Sequence, residues 1–110
     1  MPGIENFHAH IYFDAAQVEE ARALAEEARA RFGVSVGRFH PGPVGPHPRG
    51  SVQLTLDPAR FADFALWAPF NRRGFTLFVH PSTGDDRTDH TDHVIWFGPS
   101  EKLDLSVLDD

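Results

Sequence analysis

Histidine is the residue whose number and spacing suggest chemistry in this sequence. Seven histidines stand among 110 residues that include one tyrosine, one methionine and no cysteine. Imidazole is a common nitrogen ligand for metals, and it carries protons near neutral pH. His8 and His10 lie two residues apart in an alternating segment, so both rings should project from one face of a strand. That spacing suits two ligands of one metal, or a ligand beside a general base, although an isolated pair equally fits a half-exposed polar strand.

Three further histidines stand where the chain would hold or present a side chain. Prolines precede and follow His47, and they reduce the entropy that is lost when the ring is held in place. His80 ends a predicted strand and opens the segment 81–92, which carries His90. Long loops in small domains are commonly functional or disordered. A solvated loop histidine and an acidic surface loop are the simpler alternatives, and His40 is interpreted as a strand-end residue.

Three imidazoles on a water-accessible sheet face would leave coordination positions for a substrate and for oxygen. Such ligands favour iron, zinc, copper or nickel. Non-haem Fe(II) fits this set, and zinc hydrolysis is also compatible with it. Arg38 and Arg49 bracket the proline-rich loop and could pair with a substrate carboxylate, although surface solubility explains them almost as well.

The periodicity of the sequence predicts the elements that must position these residues. Residues 6–13 alternate as a strand does, and a capping box at Asp14 begins a helix that ends at Gly33. An aspartate–proline pair at 57–58 predicts the start of a second helix, which ends within 71–74. The other predicted strands span 34–40, 51–57, 75–80 and 93–98.

The predicted order of elements is βαββαβ followed by one added strand. This order is typical of a ferredoxin-like α+β sandwich, with helices on one face of an antiparallel sheet in the order 4-1-3-2. The added strand could cover an edge or reach a partner subunit. No repeat or linker divides the sequence, so residues 1–110 are predicted to form a single domain. The polar side chains expected on the face that the helices leave open are His8, His10, Tyr12, Gln53, Thr55, Thr76 and His80.

Charge and composition argue against several classes of function. The formal net charge is −6, and residues 85–110 carry the whole acidic excess, which argues against binding to nucleic acid. The absence of cysteine excludes disulfides and thiolate ligands. No apolar run approaches the roughly 18–20 residues of a membrane span, and the first residues lack the pattern of a signal peptide. We therefore expect a cytoplasmic protein with no membrane partner.

Short motifs that contain most of the histidines follow one another along the sequence. They are His10-Ile11-Tyr12, Gly45-Pro46-His47-Pro48, Asn71-Arg72-Arg73-Gly74, His80-Pro81-Ser82-Thr83-Gly84-Asp85-Asp86, Asp89-His90-Thr91 and Leu103-Asp104-Leu105-Ser106. Their order and spacing resemble those of the DOPA 4,5-dioxygenase family over almost the whole chain. Because several motifs occur in order, the resemblance is more specific than any one of them.

The resemblance implies extradiol-type ring cleavage of a catechol, such as DOPA or a related catecholic acid, by a small non-haem Fe(II) enzyme that uses O2. It also implies a ferredoxin-like fold and a homodimer, and zinc is the alternative metal. Under this resemblance the candidate metal ligands are His10, His47 and His80, and the candidate acid–base residues are His90 and His8. The candidate substrate-binding residues are Arg38, Arg49, Tyr12 and Gln53.

Two other classes of function fit the same residues. A metal-independent dimeric oxygenase on this fold would use the histidines only as bases, and its activity would survive a chelator. A non-catalytic domain would bind a small aromatic molecule or a metal without turning it over.

Overall fold

Five antiparallel strands form one sheet in the order β2-β3-β1-β4-β5. The computed structural model describes residues 3–108, so the two residues at each end of the predicted domain lie outside this description. The elements are β1 (Asn6–Phe13), α1 (Val18–Phe32), β2 (Ser35–Val36), β3 (Gly50–Leu56), α2 (Phe61–Asn71), β4 (Thr76–Ser82), α3 (Asp86–Asp89) and β5 (Ile95–Phe97). This arrangement confirms the ferredoxin-like α+β fold and the added strand. Between residues 3 and 108, no helix is long and apolar enough to cross a membrane.

The turn from β1 into α1 follows its sequence signal. The backbone N–H of Asp14 donates to Oε1 of Gln17 at 2.9 Å, as in a capping box. One 3-10 turn separates this cap from the α-helix. Gly33 ends α1 at a φ of +69°, and its N–H donates to the carbonyl of Arg29. The buried stripe of α1 consists of Ala21, Leu24, Ala25, Ala28 and Phe32.

The second strand is shorter than predicted because it contains a bulge. β2 ends at Val36, and pairing with β3 resumes only at a single bridge between His40 and Ser51. Val36 lies opposite Leu54, so four steps along this strand match three steps along β3. An extra residue of this kind bends a strand and redirects its side chains. The bulge places Arg38 on the lining of a cavity described below.

The chain after β4 also differs from the prediction. β4 continues to Ser82, and the predicted loop contains the short helix α3. The carboxylate of Asp85 caps α3, since it accepts the backbone N–H and the hydroxyl of Thr88 at 3.1 and 2.8 Å. β5 is shorter than the predicted 93–98 and pairs with β4. The added strand therefore covers the edge of β4 within the same chain.

Both faces of the sheet are covered, whereas one face was expected to be open. The apolar face packs against α1 and α2 around side chains such as Ile11 and Phe64. Three segments lie over the polar side chains of the opposite face. They are the loop before β3, at His47, the residue after α3, His90, and the C-terminal segment that begins at Pro99. As a result, Tyr12 has no exposed surface, and His10 and His80 are each only 3% exposed. The chain itself therefore buries His10 and His80, which corrects the expected water-accessible face.

Candidate functional site: a histidine cluster beside a cavity

The antiparallel register of β1 and β4 brings three histidines together. His8 lies opposite His80, and His10 is two residues further along β1 on the same face. Nε2 of His10 is 3.3 Å from Nε2 of His80. One nitrogen from each of the three rings lies within 4.8 Å of the other two. Among residues 3–108, these three side chains are the group that could hold a metal ion.

The hydrogen bond of His80 fixes which of its nitrogens can act as a ligand. Nδ1 donates to the backbone carbonyl of Pro81 at 2.8 Å. In a neutral imidazole the other nitrogen then has a free lone pair, and the lone pair of His80 faces His10. Metal-binding histidines commonly use such a bond to hold the ring and its tautomer. The geometry of His80 is therefore that of a prepared ligand.

Burial keeps these rings neutral. Desolvation lowers the pKa of His80 to about 4, although the bond to Pro81 opposes this shift. Desolvation also lowers the pKa of His10 well below its usual value, and the neighbouring histidines, His47 first, add to the effect. His8 is less buried, and desolvation followed by His90 lowers its pKa. Neutral imidazoles are the form that a metal ion requires.

The spacing of the nitrogens also fits a metal. Two nitrogens that each lie about 2.0–2.1 Å from a tetrahedral ion are separated by roughly 3.3 Å. The nitrogens of His10 and His80 have this separation. Three imidazoles with no thiolate suit zinc, iron, copper or nickel. The donor set and its spacing therefore fit a divalent transition metal.

Two further histidines flank the triad of His8, His10 and His80. His90 is the first residue after α3, and the centroid of its ring lies 4.2 Å from that of His80. Its Nδ1 donates to the backbone carbonyl of Asp86 at 2.6 Å. On the other side, the ring of His47 lies 4.2 Å from the ring of His10. The structure thus brings together all five histidines that the sequence analysis selected as candidate ligands or bases.

His47 has its own partner within the protein. Its Nδ1 is 2.8 Å from the hydroxyl of Tyr12. Burial, with smaller contributions from His90, His80 and His40, lowers the pKa of His47 to about 4. Burial also raises the pKa of Tyr12 above its usual value. The pair is therefore a neutral imidazole beside a neutral phenol at neutral pH.

A cavity of about 360 Å³ opens beside His10 and His47. Arg38 lies on its lining, and none of the lining residues within 3–108 is acidic. Such a cavity favours an anionic ligand. Gln53 also lies on the lining, and its Nε2 donates to the hydroxyl of Thr55 at 3.3 Å. The remaining lining residues are Gly37, His40, Val44, Gly45, Pro46 and Ser51.

Arg49 is engaged elsewhere. Its Nε and Nη2 donate to the two carboxylate oxygens of Glu101 at 3.0 and 2.8 Å, and its Nη1 donates to Asp14 at 3.1 Å. Arg49 therefore links Glu101, in the C-terminal segment, to Asp14, which directly follows β1. Arg49 does not line the cavity, and Tyr12 reaches it only through His47. Of the two candidate arginines, the geometry favours Arg38 for substrate binding.

Asp89, which was not among the predicted site residues, holds the segment 83–93 that carries α3 and His90. Asp89 is only 2% exposed, and its carboxylate accepts the backbone N–H and the hydroxyl of Thr83, both at 2.7 Å. It also accepts Nδ1–H of His93 at 3.0 Å. Through these three hydrogen bonds Asp89 joins Thr83 and His93, which lie on either side of α3. Asp89 precedes His90 in one of the motifs above, but a single acidic residue in an acidic segment gave no further signal.

An aromatic floor lies under the histidines and was also missed. The ring of Phe78 lies 4.7 Å from that of Trp96 on β5, and 5.7 and 5.4 Å from the rings of His10 and His80. The alternation of β4, which places Phe78 on the same face as His80, was the available signal.

A ferredoxin-like sheet with a buried cluster of histidines on one face defines a class of small α+β domains with a site suited to metal-dependent chemistry. The chain belongs to the Dopa 4,5-dioxygenase family, whose model matches residues 7–107. The match covers all five strands apart from Asn6, the first residue of β1, and it includes all seven histidines.

Relatives of known sequence or structure agree with this membership. The chain is 32% identical to a DOPA 4,5-dioxygenase of Amanita muscaria over 96% of its own length and 50% of the relative's length. It is 35% identical to an uncharacterized 21.2 kDa protein of Botryotinia fuckeliana, over 93% of the chain and 62% of the relative. The chain thus spans between one half and two thirds of these relatives.

A solved structure has the same fold. The crystal structure of a "putative dioxygenase" from Nostoc punctiforme matches with a TM-score of 0.86 and 42% identity. The match covers 91% of this chain and 87% of that one. The agreement in sequence and in structure extends over nearly the whole domain.

Proposed function

We propose that this domain is an extradiol-type dioxygenase that cleaves the ring of a catechol with non-haem Fe(II) and O2. The observation that carries the proposal is the convergence of His8, His10 and His80, whose ligand atoms lie within 4.8 Å of one another. Membership of the family and the name of the Amanita relative support the class of reaction. When bound, Fe(II) would supply a Lewis acid for the catechol oxygens and a redox centre for O2.

The ligand set in this proposal differs from the sequence prediction at one position. His10 and His80 stay as ligands, and His8 replaces His47 because its nitrogen falls within the same group. The lowered pKa values of the three rings keep their lone pairs free at neutral pH. The bond from His80 to Pro81 holds one ring in the orientation that a ligand needs.

His90 is the proposed general base. Its Nδ1 carries the hydrogen that it donates to the carbonyl of Asp86, so its Nε2 is available to accept a proton. The His90 ring lies beside His80 and 5.8 Å from Phe78, at the edge of the proposed metal centre. A hydroxyl of a catechol bound at this centre would transfer its proton to Nε2 of His90.

Arg38 is the proposed substrate-binding cation. It lines the same cavity as Gln53, and among the described residues no carboxylate on that lining would neutralise it. A guanidinium forms two parallel hydrogen bonds with a carboxylate. The substrate would therefore be a catecholic acid, of which DOPA is one example.

The test is anaerobic loading with Fe(II), followed by air and a panel of DOPA, caffeate and protocatechuate. A yellow, ring-opened product that depends on iron would support the proposal, and H10A and H80A should not form it. H93Q is the matched control, because His93 is not one of the three clustered histidines and a glutamine can still donate to Asp89. Activity that survives a chelator would favour the metal-independent oxygenase, and binding without turnover would favour the non-catalytic domain. The homodimer and the cytoplasmic location stay predictions.

A further inference from the structure

The hydroxyl of Tyr12 makes one hydrogen bond within residues 3–108, and its partner is Nδ1 of His47 at 2.8 Å. Tyr12 has no exposed surface, so water does not offer its hydroxyl another acceptor. A buried O–H group that donates to no acceptor costs free energy. The hydroxyl hydrogen therefore points to His47, and Nδ1 of His47 is the acceptor.

This direction determines the tautomer of His47. A neutral imidazole that accepts at Nδ1 carries its hydrogen on Nε2. Nε2 of His47 has no hydrogen-bond partner between residues 3 and 108. The buried side-chain atoms without a partner in this part of the chain are Asn6 Oδ1 and Trp67 Nε1. Nε2 of His47 is therefore not buried. His47 lines the cavity. Its N–H group is therefore accessible from the cavity.

The backbone holds His47 in this position. The backbone N–H of His47 donates to the carbonyl of Val44 at 3.0 Å, and the carbonyl of Pro46 accepts the N–H of Asp104 at 2.9 Å. Prolines on both sides of His47 restrict the loop further. A rigid donor whose tautomer is fixed by a buried partner is preorganised for an oxygen of a bound ligand.

We propose that Tyr12 is a positioning residue, which holds His47 in the Nε2–H tautomer so that His47 donates a hydrogen bond to an anionic oxygen of the ligand in the cavity. His47 is then not a ligand of the metal at His8, His10 and His80. This role rests on the proposed metal centre, because the same cavity must hold the catechol. A metal ligand at Nε2 would instead carry its hydrogen on Nδ1 and leave the Tyr12 hydroxyl without an acceptor.

The tautomer is measured directly by long-range ¹H–¹⁵N correlation spectra of the ¹⁵N-labelled protein. We expect the wild type to have an unprotonated Nδ1 and a protonated Nε2 at His47. Addition of Zn²⁺ should shift the nitrogens of His8, His10 and His80 and leave those of His47 in place. Y12F should populate both tautomers of His47. T55V is the matched control, because it removes a hydroxyl from the same sheet face and should keep the single tautomer.

Metal binding and turnover give two further readouts. Loss of a residue that hydrogen-bonds to a metal ligand costs about 10- to 100-fold in metal affinity. Because His47 is not a ligand in this proposal, H47A should weaken Zn²⁺ binding by less than about tenfold. Y12F should lower kcat/KM for DOPA by roughly 10- to 100-fold, and H47Q, which keeps an N–H donor, should retain more activity than H47A. A hydrogen on Nδ1 of His47 in the wild type, or coordination of Zn²⁺ by His47, would overturn the proposal. Absence of ring cleavage would count against the proposed function, while the tautomer spectra would still decide the role of Tyr12.

Discussion

Nε2 of His10 faces Nε2 of His80 across two antiparallel strands at 3.3 Å. Because His80 uses the hydrogen of Nδ1 to bind the carbonyl of Pro81, it presents a lone pair to His10. Two lone pairs would repel at this distance, so either a hydrogen on His10 or a cation must lie between them. A shared divalent ion would satisfy both nitrogens, and His8 is near enough to complete the site.

Removal of any one of His8, His10 and His80 should strongly weaken metal binding. We expect H8A, H10A and H80A to weaken Zn²⁺ binding by more than the roughly 100-fold that loss of an outer partner can cost. The measurement is a titration against a competing chelator, with circular dichroism to verify the fold. H93Q should bind Zn²⁺ as the wild type does. Wild-type affinity in H8A would restore the original prediction that His8 is a base and not a ligand.

The stability of the metal-free protein should decrease in acid. Burial lowers the pKa values of His47 and His80 to about 4, whereas an unfolded histidine titrates near 6.5. Between these values the unfolded chain binds protons that the folded chain does not, so the free energy of unfolding should fall as the pH falls from about 6.5 to 4. Below about 4 this contribution should level off. Chemical unfolding between pH 4 and 8, with chelator present, measures the slope.

A control separates the buried histidines from other titrating groups. H47Q removes one of the two rings while it keeps a side chain that can accept from Tyr12. The slope of unfolding free energy against pH between about 4 and 6.5 should therefore be smaller in H47Q than in the wild type. An unchanged slope would show that His47 does not contribute to the acid sensitivity.

The local patterns of the sequence predict which side chains share the site. Alternation in β1 and β4 places His8, His10 and His80 on one face, because the side-chain period of a strand is two. The order of elements then predicts that β1 and β4 are neighbours, as the structure confirms. Side-chain alternation and strand order are therefore enough to bring the three histidines together, whatever the loops do.

The sequence could not predict what covers this face or where each loop side chain points. The bulge that places Arg38 on the cavity depends on how β2 and β3 align, which the apolar pattern of 34–40 does not encode. The pairing of Arg49 with Glu101 joins residues 52 apart in sequence. Such contacts between distant residues leave no local signal, so the two arginines could not be distinguished before the fold was known.

Asp89 should matter for stability and for catalysis. Its buried carboxylate accepts three hydrogen bonds that join Thr83, His93 and the loop around α3. D89A would leave buried donors without a partner, and we expect it to destabilise the fold by about 1–3 kcal/mol. It should also lower kcat, because His90 is the next residue along the chain. D85A, which removes the exposed cap of α3, is the comparison and should destabilise the fold less than D89A does.

Arg49 should be structural. Its guanidinium binds Glu101 with two parallel bonds and also binds Asp14, while its side chain is 31% exposed. R49Q should therefore lower the free energy of unfolding by about 1 kcal/mol and leave KM for DOPA nearly unchanged. E101Q should give a similar loss, and the double variant should show that the two losses are not additive. A large rise in KM for R49Q alone would return Arg49 to the substrate-binding residues.

Arg38 should determine which catechols bind. R38Q removes the cation on a cavity whose described lining contains no carboxylate, and R38K keeps the charge but loses the paired geometry of a guanidinium. We expect R38Q to raise KM for caffeate and DOPA by roughly 10- to 100-fold, the equivalent of about 1.4–2.7 kcal/mol. KM for a neutral catechol, such as the methyl ester of caffeate, should stay the same in R38Q and the wild type. R38K should fall between them for the acids. An equal loss for the acid and its ester would show that Arg38 supports the bulge and does not recognise a carboxylate.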